Sequence, residues 1–210
     1  MKSIARVCAQ EKRIFIHDQK DENGDTVMQW IGDGVAMYPA LDLPTLDESS
    51  IYAIFDIPEK NRNKYFFRHD MDMPENVSFA DAVPCENILD PVNIDLCTAG
   101  RVLRPMNTQR GLAFLDAKYL LPLADTLDAV EIYERLTPGG NVYFAAKAGF
   151  MVLALITPCD IITTMLVDEL EGLTRQCRFA LESKAALAAQ AAGEAVAAAA
   201  DQTSLEDAEE

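Results

Sequence analysis

Apolar and polar positions alternate over residues 13–17 and again over 26–31, the period of strands with one buried face. The polar stretch 18–25 between them carries Asn23-Gly24, the strongest short-range signal for a hairpin turn. An opening hairpin is expected, ended by Gly32-Asp33-Gly34, because glycine accepts positive φ and interrupts regular pairing. After Pro158 the period changes. Ile162, Leu166, Leu170, Leu173, Cys177 and Leu181 recur at three- and four-residue intervals, which predicts an amphipathic helix running into the alanine-rich stretch 185–200.

Two internal segments align without gaps. Residues 36–52 read AMYPALDLPTLDESSIY and residues 117–133 read AKYLLPLADTLDAVEIY, at a constant offset of 81. Identities fall at Ala36/Ala117, Tyr38/Tyr119, Thr45/Thr126, Leu46/Leu127, Asp47/Asp128, Ile51/Ile132 and Tyr52/Tyr133, where unrelated pairs of this length share roughly one. An internal duplication is expected, each copy a helix followed by a β-hairpin. In the second copy Leu120, Leu123, Ala124 and Leu127 are spaced for one buried helical face; in the first, Pro39 and Pro44 shorten the helix.

The elements of the second copy are strand 111–115, helix 117–126 and strands 129–136, 142–147 and 150–156, the order βαβββ. The first copy follows the same order, with its last strand near 76–80. The expected organisation is therefore α+β: a duplicated βαβββ domain over 1–160 (repeat one about 26–80, repeat two about 108–158), a C-terminal amphipathic helix over 161–200 and a disordered acidic tail over 201–210.

The phrase FLDAKYLLPLADTLDAVEIYERLTP resembles the segment of DNA sliding clamps in which a strand leads to a helix and then to an outer-sheet strand, and LALITPCDI resembles the strand that closes a clamp domain. The resemblance covers residues 13–160, one clamp-type domain, and implies a non-enzymatic, protein-binding role in replication or as a phage accessory factor. Clamp helices present Lys and Arg to phosphates. Residues 36–47 contain no basic residue, and the second helix sets Lys118 against Asp116, Asp125 and Asp128, so DNA encirclement is not carried over.

Charge sharpens this picture. The 210 residues carry a formal net charge of −16, which repels phosphate backbones and suits a basic protein partner. The alternative reading is an acidic DNA mimic that inhibits a nucleic-acid-binding enzyme through carboxylates such as Asp42, Asp47, Glu48, Asp125 and Asp128. Arg101, Arg104 and Arg110 form the densest basic stretch beyond the N-terminus and are the candidate phosphate contacts. Ile162, Leu166, Leu170, Leu173 and Leu181 are the candidate contacts to a protein partner or a second copy in a homo-oligomer.

Catalytic chemistry has little to work with. The five cysteines are scattered and lack a C-x-x-C pair, so reduced, mostly buried thiols in a cytoplasmic protein are expected. No Walker loop, G-x-S-x-G or H-E-x-x-H motif is present, and neither cofactor nor metal is expected. The longest apolar run, 150–156, is too short to cross a bilayer. The one cluster that an enzyme reading would use is His69, Asp70 and Asp72.

Overall fold

The computed structural model describes residues 1–70 and 73–206, with side chains up to residue 192. The chain divides into two units, Met1–Asp160 and Ile161–Glu210. The first is α+β and the second is helical.

Unit one is built on an eight-stranded sheet. Its N-terminal helix α1 (Lys2–Glu11) forms because Ile4, Val7 and Cys8, at i, i+3 and i+4, share one buried face. It ends at Lys12 in the left-handed conformation. Strand β1 (Arg13–Lys20) then pairs antiparallel with β2 (Thr26–Gly32), as the alternation predicts. The Asp21 carboxylate closes their turn, accepting from the backbone N–H groups of Asn23 (2.9 Å) and Asp25 (3.0 Å).

At Gly32 the backbone doubles back so tightly that a Cβ would sit 1.7 Å from the carbonyl oxygen of Ala36. The buried Asp33 carboxylate accepts from the N–H groups of Val35 and Ala36, both at 2.9 Å, and starts β3 (Ala36–Pro39). The helix expected over 36–47 is thus a strand and a loop. Pro39 and Pro44 offer no N–H to a helix, and β3 instead pairs with β2 on one side and a distant strand on the other. Gln29 pins the loop by exchanging two hydrogen bonds with the backbone of Leu46. Only at Asp47 does a helix begin: Asp47 and Ser50 form a capping box for α2 (Glu48–Ile54), where a strand was expected. The short α3 (Glu59–Arg62) leads to β4 (Phe66–Asp70), which pairs parallel to β1.

After β5 (Asn87–Ile88), strands β6 (Leu96–Thr98), β7 (Arg101–Thr108) and β8 (Gly111–Asp116) make a separate three-stranded sheet. Asp116 caps a 3-10 helix, Ala117–Ala129. Its buried residues are Tyr119, Leu120 and Leu123, whereas Ala124 and Leu127 of the expected face are exposed. Three residues per turn, rather than 3.6, carry the later positions off the face. Strands β9 (Val130–Leu136), β10 (Val142–Ala148) and β11 (Met151–Ile156) follow as an antiparallel meander, within a residue or so of expectation.

The sheet order is β4-β1-β2-β3-β11-β10-β9-β5. A helix followed by a three-stranded meander therefore occurs twice, first as α1-β1-β2-β3 and then as the 3-10 helix with β9-β10-β11. The two meet where Met37 pairs with Leu155 and Ala36 with Ile156. The segments aligned by sequence do not occupy matching places in this arrangement. Tyr52 lies in α2 and Tyr133 in β9, and Leu46 is buried where Leu127 is 42% exposed.

One core lies between the sheet and its helices, with Ile14, Ile16, Ile31, Tyr38 and Phe144 packed on Val7, Tyr119 and Leu123. A smaller one lies on the opposite, outer face around Trp30, Tyr143 and Leu155.

In unit two, α4 runs from Thr164 to Glu206, six residues into the stretch expected as a disordered tail; residues 207–210 of that stretch lie outside the described residues. No helix among the described residues is long and apolar enough to cross a membrane. All five cysteines are free, but only Cys8 is buried, contrary to expectation: Cys85, Cys97 and Cys177 are exposed and Cys159 is half-buried.

Candidate functional site

Strand alternation distributes the polar residues of β1, β2 and β4 to two faces. Ile14, Ile16 and Asp18 point to the helical side, and Phe15 and His17 to the outer side. In the parallel register Ile16 lies beside His69 and His17 beside Asp70. Each histidine therefore meets a carboxylate on its own face. His69 Nε2 lies 3.0 Å from Asp18 Oδ1 on the inner side, where buried Asp18 also accepts from Gln29 Nε2 at 2.7 Å. His17 Nδ1 lies 3.4 Å from Asp70 Oδ2 on the outer side, and Arg68 Nε donates to Asp70 Oδ1 at 2.7 Å. The sheet thus separates His69 from Asp70, its sequence neighbour, and Asp72 lies outside the described residues. Among the described residues no group of three or more metal-ligating side chains converges.

The outer pair opens onto a cavity of about 570 Å³. Met37, Tyr143 and Leu155 make its floor, Phe15, His17, Arg68 and Asp70 one wall, and Met73, Val77 and Phe79 the other. Gly34, at φ 89°, borders it, and a Cβ there would press to 2.9 Å from the Phe15 ring. The lining contains no Ser, Cys or Lys among the described residues. An apolar floor with a charged rim at one end suits a side chain or short segment of a ligand.

The far wall is a strap, residues 73–86, laid across the outer face. Phe79 packs edge-on to Trp30 with ring centroids 4.8 Å apart, and the Ser78 N–H donates to Tyr143 Oη at 3.0 Å. Arg135 holds it. This side chain is fully buried and donates to the carbonyls of Ser78 (3.1 Å), Ala80 (2.9 Å) and Asp81 (3.2 Å) and to the Glu86 carboxylate (2.8 Å). Lys147 also donates to Glu86 while its ammonium lies 4.5 Å from the centroid of the Tyr133 ring. Burial pushes the Glu86 carboxyl up, but the bonds from Lys147 and Arg135 outweigh it and hold the group below its ordinary value. Sequence reading missed this clasp. Its signal was an Arg and a Lys at strand positions of an apolar meander, where a charge is kept only if paired.

The three candidate phosphate contacts are not brought together. Arg101 is spent on buried Asp116 (2.8 Å) and on Cys159 Sγ (2.9 Å). Arg104 emerges on the other face of β7, 3.5 Å from Asp95, and Arg110 sits at the β7–β8 turn. The candidate helix contacts belong to unit two: Ile162 precedes α4, and Leu166, Leu170, Leu173 and Leu181 lie within it, Leu166 partly exposed and the others exposed.

Comparison with protein-family models, with curated proteins and with solved structures finds no match to this chain.

Proposed function

We propose that residues 1–160 form a non-enzymatic, clamp-like protein-binding domain of a cytoplasmic replication or phage accessory factor, which docks an apolar segment of a protein partner in the outer-face cavity. The observation that carries this reading is the double helix-and-meander arrangement about the β3–β11 pair, with helices on one face of a continuous sheet and the cavity on the other. Clamp domains likewise set helices inside and sheet outside. Residues 36–47, which carry no basic residue, form β3 and a loop and are not part of the helix layer. That layer is made by α1 and the 3-10 helix, and α1 exposes Lys2 and Arg6, one turn apart, with Lys12 and Arg13 following.

The test is affinity purification with the full chain and with Val77→Asp, which puts a charge into the cavity wall. The reading expects partners, a DNA polymerase or clamp-loading protein among them, that are captured by the unaltered chain and lost from Val77→Asp while circular dichroism stays the same. An identical partner set for both chains counts against it.

A further inference from the structure

We infer that α4 pairs with α4 of a second copy of this chain, antiparallel, along the seam Leu166, Leu170, Leu173, Cys177, Ala180 and Lys184. Not one described side chain of α4 is buried, and of the seam leucines Leu170 and Leu173 are 39% and 57% exposed. A helix this long gains its stability from covering an apolar face. The seam residues follow one another at steps of four, three, four, three and four, the alternation of core positions along one face of a helix pair.

Charge selects the occupant. Asp168, Glu171, Arg175, Arg178 and Glu182 all lie away from the seam, and of its flanking positions 167, 169, 174, 176, 181 and 183 only Glu169 is charged. A strongly basic or acidic partner finds almost nothing to pair with there, whereas an identical face brings one Lys184 and one Glu169 from each copy. The one seam cation, Lys184, sets the direction. In a parallel, in-register pair two Lys184 ammonium groups share the seam. In an antiparallel pair with Leu173 opposite the partner's Cys177, each Lys184 stem lies on the other copy's Leu166 and its ammonium reaches that copy's Glu169. Leu170 then faces Ala180, a large side chain against a small one. The paired stretch is about 28 Å long.

This inference is independent of the clamp reading, and one experiment separates them. Light scattering on the full chain is expected to give twice the chain mass, more completely at high salt, since two copies of net charge −16 repel each other through solvent. Leu170→Glu with Leu173→Glu is expected to return the chain mass; a ring made through unit one would survive that change. Direction is read by oxidation in a Cys85→Ser, Cys97→Ser background. A chain carrying Leu173→Cys and Cys177→Ala is expected to cross-link only when mixed with one that keeps Cys177. A single-chain mass at every salt concentration, an assembly indifferent to the two glutamates, or cross-linking of the Cys177 chain with itself overturns the inference.

Discussion

The hydroxyl of Tyr38 donates to the backbone carbonyl of Tyr119 at 2.8 Å, joining β3 to the 3-10 helix across the core. Tyr119 in turn donates its own hydroxyl to Asp33 at 3.0 Å. The two tyrosines that align in sequence are thus direct partners in space, each 2% exposed. Burial first, and the Asp33 charge second, push both phenols up, which favours the protonated, donating form of each.

Tyr38→Phe removes the donor and leaves the Tyr119 carbonyl without it. Urea denaturation is expected to show a loss of about 1–3 kcal/mol with an unchanged m-value. A loss below half a kcal/mol would mean that the carbonyl finds another donor.

Arg135→Ala strips three carbonyls and Glu86 of a buried cation. The expected destabilisation is about 3–5 kcal/mol, whereas Arg135→Met combined with Glu86→Leu and Lys147→Met recovers part of it, because no charge is then left buried alone although the three carbonyls still lack that donor. Hydrogen exchange over residues 78–86 locates the effect: in Arg135→Ala these amides are expected to lose protection before those of β10.

The depressed Glu86 carboxyl fixes a sign for pH dependence. Its folded pKa lies below the ordinary 4.5, so its contribution is complete above about that pH and is lost as pH falls through the lower, folded value. Trp30 fluorescence, which reports on Phe79 and the strap, is expected to change in that acid range in the unaltered chain. The step should be absent from Glu86→Gln.

Gly32→Ala meets backbone rather than a movable side chain. A destabilisation of about 3 kcal/mol or more is expected, against little change for Gly139→Ala, whose Cβ finds its nearest neighbour at 3.8 Å. Thermal melts of the two variants check the contrast.

The strands were legible because alternation and turn chemistry are local: β1, β2 and the β9–β11 meander announce themselves in Ile14, Ile16, Asn23-Gly24 and Pro138-Gly139-Gly140. Residues 36–52 were not, since β3 is decided by pairing with β11, over a hundred residues away, and an apolar run of four suits strand or helix equally. Helix α1 was there to be read in Ile4, Val7 and Cys8. Its loss hid the true order of the first half and lent the gapless alignment of 36–52 with 117–133 a structural meaning that the fold does not give it. The outer cavity was invisible for a different reason. Residues 73–86 carry no periodic signal, and what lays them on the sheet is Arg135, far along the chain.

The meeting of β3 with β11 also bears on how the chain is made. Both strands lie mid-sheet, yet Ala36 leaves the ribosome long before Ile156 does. At ordinary translation speeds the nascent N-terminal half waits on the order of ten seconds with the β3 edge unsatisfied. That edge is only four residues long and ends in Pro39, so a neighbouring nascent chain has little backbone to grip.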